Sequence, residues 1–131
     1  MATKTDILVP KRTFKIGEVY YIDFPEGGFG IQAGLRPGII VSNDIGNLHS
    51  PLVNVIPLTT SHGKFAKHLP MHVHIPANGS LRSSIALVEQ MRPVPKENIQ
   101  SQRIWVADDE TIRRIAIAMH LQYPFCSIKS S

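Results

Sequence analysis

Arg36 opens an apolar run, Arg36-Pro37-Gly38-Ile39-Ile40-Val41, and a second apolar run, Leu52 to Leu58, ends in three hydroxyls, Thr59-Thr60-Ser61. If both runs are strands paired antiparallel through the polar turn Asn43 to Ser50, the start of one lies beside the end of the other, so Arg36 and Thr59 become neighbours. A fixed cation beside a hydroxyl, rimmed by the glycine-rich loop around Phe29 (Gly27, Gly28, Gly30), suits an anion. Phosphate fits best, because the planar guanidinium fork can meet two of its oxygens.

The elements that would position these groups are short strands. Ile16 to Phe24 is β-branched and aromatic with alternating faces: Tyr20, Ile22 and Phe24 on one, Val19 and Tyr21 on the other. The glycines after it predict a long flexible loop. In Met71 to Ile75 the apolar residues share one face while His72 and His74 share the other, a pattern that predicts a solvated histidine face. His-x-His spacing could also ligate a metal, but no third ligand is near in sequence, and no metal is expected. Ala77 to Ser80 reads as a turn, Ser84 to Glu89 as a central strand, and Ile104-Trp105-Val106 as a short one. Helical period appears only late: Asp108 is an N-cap candidate, and Ile112, Ile115, Ala116 and Met119 recur on one face ahead of Pro124, with Arg113 and Arg114 outward. Five to seven strands and one late helix predict a mainly β fold, a small bent β-barrel with a C-terminal α-helix.

Composition narrows the function classes. The chain has 131 residues, 43% of them hydrophobic, enough for one domain with its own core. We divide it into an N-terminal extension, residues 1–14, of which Met1 to Thr13 reads as mobile or loosely docked, and a single domain, 15–131. Cys126 is the only cysteine, so no internal disulfide can form, and neither a membrane-spanning run nor a signal-peptide core is present. A cytoplasmic location without membrane contact is expected. The net charge of +4 and pI near 9.5 favour an anionic partner.

Five blocks now fall into a recognisable order: Leu35-Arg36-Pro37 before an apolar strand; Asn43-Asp44-Ile45-Gly46-Asn47 followed by Ser50-Pro51; Pro57-Leu58-Thr59-Thr60; Leu69-Pro70-Met71-His72-Val73; and Leu87-Val88-Glu89-Gln90-Met91-Arg92. Together they resemble the MazF/PemK/Kid family of toxin–antitoxin endoribonucleases. The resemblance implies an SH3-like (PemK/CcdB-like) barrel that works as a homodimer, cuts single-stranded RNA at a short sequence, uses no cofactor, and is held by an acidic cognate antitoxin. It also implies attack of the 2'-hydroxyl on the adjacent phosphate, leaving a 2',3'-cyclic phosphate and a 5'-hydroxyl.

Residue by residue, Arg36 matches the family's catalytic arginine and Thr59 its active-site threonine, with Thr60 the neighbouring alternative. Structural readings stand beside these: a rim arginine paired with a carboxylate, and a strand-end hydroxyl satisfying backbone. For RNA binding, Phe29 can stack on a base, and Gly30, Gln32, Asn43 and Gln90 can meet base edges. Glu89 can accept from an exocyclic amine or pair with Arg92, and Lys64 supplies nonspecific attraction. The chain departs from the Kid-like branch, whose loop histidine and Arg-x-Asp pair correspond to Gly30 and to Leu87 with Glu89. It also has Ile31 where other members carry a loop acid. His62 and His68 are alternative proton acceptors. Two other readings are a CcdB-like toxin that binds a protein target and an SH3-like module that binds RNA without cutting it.

Overall fold

Strand alternation sends neighbouring residues into two different cores. In the computed structural model, which describes residues 12–60 and 69–126, β1 (Glu18–Phe24) buries Tyr20, Ile22 and Phe24 on one face and Val19 on the other, leaving Tyr21 exposed. β2 (Gly34–Ile40) and β3 (Leu52–Thr60) do the same: Ile39 and Ile56 enter one cluster, Ile40 and Val55 the other. Burial on both faces is why these runs read as continuously apolar. Each such Ile, Val or Phe removed from water contributes roughly 1.5–3 kcal/mol.

All pairings are antiparallel, in the order β4 (His72–Ile75), β5 (Ser84–Leu87), β3, β2, β1, β7 (Trp105–Val106), with β6 (Arg92–Pro95) on the first half of β3. The sheet curls into a half-barrel. One face is covered by α2 (Asp109–Gln122), whose Ile115 and Ala118 pack with Ile39, Ile56, Leu58, Val73 and Ile75. Phe14, Tyr20, Ile22, Phe24, Val53, Val94 and Ile99 fill the other. Between the two, β2 passes so close to β1 that a Cβ on Gly38 would stand 2.8 Å from both Ile22 Cδ1 and Phe24 Cζ. Only glycine fits there.

Several sequence expectations are corrected. The polar stretch between β2 and β3 is not a simple turn but a short helix, α1 (Asp44–His49), because Asn43 caps it by accepting from the Gly46 N–H at 2.7 Å. His72 does not face solvent: its side chain is 4% exposed and its Nε2 lies 2.7 Å from a Glu89 carboxylate oxygen, whereas His74 is exposed and meets Ser83. On α2 the buried stripe is Thr111, Ile115 and Ala118, while Ile112, Ile117 and Leu121 remain substantially exposed. Arg114 does not point outward but donates to the His74 carbonyl at 2.8 Å. The end of the extension is docked rather than loose, since Phe14 is buried and Arg12 stacks on Phe14 and Tyr20 and donates to the Ile99 and Ser101 carbonyls.

Candidate active site

The site begins where two prolines stop a ladder. Val41 N–H donates to Asn54 O at 2.9 Å, so the amides of Val41 and Ile39 point toward β3, and the next amide facing that way belongs to Pro37. Proline has no N–H to offer Leu58, and the β2–β3 pairing ends at Gly38 opposite Pro57. On the other edge of β3, Pro57 lies in the gap between the β6 partners, which end at Val55, and the β5 partners, which start at Leu58. Beyond these breaks the strand ends border a cleft of about 750 Å3, lined by Tyr21, Arg36, Thr59, Thr60, Asn78 and Arg82 among others. The same register, carried two residues past Gly38–Pro57, sets Arg36 opposite Thr59.

Arg36 is aimed without being neutralised. Its Nε and Nη2 donate to the Ala33 carbonyl at 3.2 and 2.7 Å, and its Nη1 donates to Gln32 Oε1. No carboxylate pairs with it among the described residues, so the rim ion-pair alternative is not what the structure shows. Burial pushes its pKa below the ordinary arginine value, a shift a guanidinium absorbs while staying charged. Two neutral acceptors hold the fork while N–H groups on both Nη atoms remain open, which suits an incoming anion. The hydroxyls of Thr59 and Thr60 have no hydrogen-bond partner among the described residues. Thr59 is half-buried and Thr60 exposed, and both line the cleft although they alternate along the strand.

The glycine loop is tied down rather than freely flexible. Gln90 clamps it by accepting from the Gln32 N–H at 2.8 Å and donating to the Gly30 carbonyl at 2.9 Å. Arg92, stacked 4.8 Å above the Phe24 ring, donates to the Gln32 and Pro25 carbonyls. Burial lowers the Arg92 pKa, and the Arg36 charge lowers it further, so the two guanidiniums feel each other across Gln32. Gly28 and Gly30 take positive φ, and the loop thereby holds Phe29 fully in solvent.

A family model described as "PemK-like, MazF-like toxin of type II toxin-antitoxin system" matches residues 15–123. The chain belongs to this toxin family. Over 109 residues it is 37% identical to Endoribonuclease EndoA of Bacillus subtilis (strain 168), which covers 82% of this chain and 91% of that protein. The fold is that of MazF from Deinococcus radiodurans (TM-score 0.73, 18% identity, 87% of this chain and 99% of that one). It is also that of a mycobacterial endoribonuclease solved in complex with its cognate antitoxin (TM-score 0.68, 20% identity, 87% and 98%).

The toxin's remaining candidates separate by position. Gln32 is buried, and its amide oxygen is taken by Arg36, so it orients the arginine. Asn43 Oδ1 is held in the α1 cap, and Asn43 does not line the cleft. Glu89 pairs with His72, not with Arg92, and its Oε1 is buried with no partner among the described residues. Lys64, His62 and His68 lie outside the described residues. Sequence reasoning passed over Tyr21 and Arg82, which share the cleft with Arg36. Finding Arg82 required knowing that β5 pairs with the end of β3, a contact between distant segments that no local pattern announces.

Proposed function

We propose that this toxin, an endoribonuclease, cuts single-stranded RNA at a short sequence by attack of a ribose 2'-oxygen on the neighbouring phosphorus, without a metal ion. The 2'-O–P bond forms as the P–O5' bond breaks. The 2'-proton passes to a base, the 5'-oxygen takes up a proton, and the products carry a 2',3'-cyclic phosphate and a 5'-hydroxyl. Arg36 stabilises the charge that grows on the phosphorane through its open N–H groups. Thr59, too weak a base to act freely, orients the phosphate or the 2'-oxygen. The observation that carries this reading is a positive fork and a hydroxyl with no partner among the described residues, lining one cleft where the strands stop pairing at Pro37.

The donor set supports a metal-free route. The described lining of the cleft contains no aspartate, glutamate or histidine, and paired cations need such ligands. His62 and His68, which follow the threonines in sequence, are the imidazoles available to accept the 2'-proton. Phe29 stacks on an unpaired base, with Gly30, Thr60 and Lys64 adding contacts to RNA. Ile117 and Leu121 stay exposed one turn apart on α2, with Phe125 exposed just after it, and such uncovered apolar side chains suit a homodimer. The net charge of +4 suits an acidic antitoxin. A cytoplasmic setting follows from such targets.

The test is a long RNA incubated with purified protein in EDTA, with the fragment ends sequenced. Discrete cuts bearing cyclic phosphate are expected, and they should slow by about 100- to 1000-fold in Arg36→Ala. Cutting that EDTA abolishes, or that Arg36→Ala retains, would overturn the proposal.

A further inference from the structure

Three neighbouring strand ends meet at the cleft. β3 lies between β2 and β5, and the pairs Thr59–Ile85 and Thr60–Ser84 put the start of β5 beside the threonines, on the side opposite Arg36. Arg82 stands two residues before that start and lines the same cleft. The hydroxyls therefore lie between two arginines.

The second arginine differs from all the others. Of the chain's seven arginines, six donate to an oxygen. Arg12, Arg36, Arg92 and Arg114 bond carbonyls, while Arg103 and Arg113 pair with Glu18 and Glu110. The Arg82 side chain has no hydrogen bond or ion pair among the described residues. Its backbone, by contrast, is fixed. Leu81 is buried in the core, Asn78 N–H donates to the Leu81 carbonyl at 2.9 Å, and buried Ser84 donates its hydroxyl to the Arg82 carbonyl at 2.6 Å. A fixed backbone carrying a cationic head with no partner among the described residues, at a cleft with no described acid, suits an anion.

We propose that Arg82 binds a second phosphate of the RNA, one flanking the scissile linkage, and so sets the position of the strand over Thr59. The inference rests on RNA being the substrate. A chain whose phosphates repeat at regular spacing can satisfy two cations on opposite sides of the hydroxyl pair at once, which a single phosphate monoester cannot do. Arg82 is a positioning residue, since the reacting phosphate belongs to Arg36.

The test uses the full chain and an oligonucleotide spanning a mapped cut site, with a 2'-deoxy sugar at the attacking position so that it binds without being cut. Arg82→Gln is expected to weaken binding about tenfold and to lower the slope of log affinity against log salt by about 0.7, the value for one phosphate contact on a single strand. On cleavable RNA it should raise KM far more than it lowers kcat, and Arg82→Lys should restore most of the salt slope. Replacing one flanking phosphate with a neutral methylphosphonate should erase the difference between wild type and Arg82→Gln. An unchanged affinity and slope in Arg82→Gln, or a loss confined to kcat, overturns the inference. If Arg36→Ala still cuts at the wild-type rate while the Arg82-dependent slope persists, the catalytic proposal fails and this one stands.

Discussion

The β2–β3 pair has two ends built from similar residues, and they behave in opposite ways. At the α1 end, Val41 bonds Asn54, Ser42 bonds Asn47 and the Asn54 N–H, and Asn43 caps the helix. Asn47 is 1% exposed there, so the polar groups hold one another. At the Pro37 end the ladder stops, and a guanidinium and two hydroxyls face a cleft. The difference teaches that a polar residue in a family motif gains a functional reading only when its hydrogen-bonding groups are left open. Asn43 and Arg36 belong to adjacent motif blocks, yet the first closes a helix and the second opens onto the site.

The largest expected effect lies at the open end. Thr59→Val should slow cleavage on the order of 100-fold, with a melting temperature close to wild type, whereas Thr60→Val should do less. Single-turnover kinetics beside thermal melts would check this. An equal loss in both variants would mean the register does not single out Thr59. At the closed end the pattern should invert: Asn47→Leu strands Ser42 and should cost roughly 2 kcal/mol in urea unfolding, with cleavage per folded molecule unchanged.

Pro37→Ala probes the boundary itself. A restored N–H facing Leu58 should become slow to exchange with solvent as the ladder extends, and a narrowed cleft should cut activity about tenfold. Rapid exchange at position 37 would show that the missing proline donor is not what opens the site. The smallest effect belongs to Asn43→Ala, which should lose about 1 kcal/mol of stability through its cap and leave the cleavage rate within twofold of wild type. A rate loss exceeding the stability loss would return Asn43 to the RNA-binding set.

Local chemistry explains what was legible beforehand. The alternation of Tyr20, Ile22 and Phe24, the Asp108 cap and the antiparallel logic joining Arg36 to Thr59 are all properties of neighbouring residues or of one hairpin. His72 misled the strand-face reading because its partner Glu89 is 17 positions away. The α2 stripe was misread in part because apolar residues lie on more than one side of the helix, and only the sheet beneath selects Ile115 and Ala118 over Ile112 and Ala116.

From its sequence alone the chain determined most of its strands, though not β6, together with its late helix, its family and the placing of one arginine and one threonine at the same strand ends, since short-range periodicity and hairpin register are written in adjacent residues. The tertiary structure alone decided that Gln90 and Arg92 hold the glycine loop and that the Arg82 side chain reaches the cleft of Arg36 without a partner among the described residues. Each of these depends on β5 and β6 sharing one edge of β3. Strand order is chosen by burial summed over the whole sheet, and no local segment carries that sum.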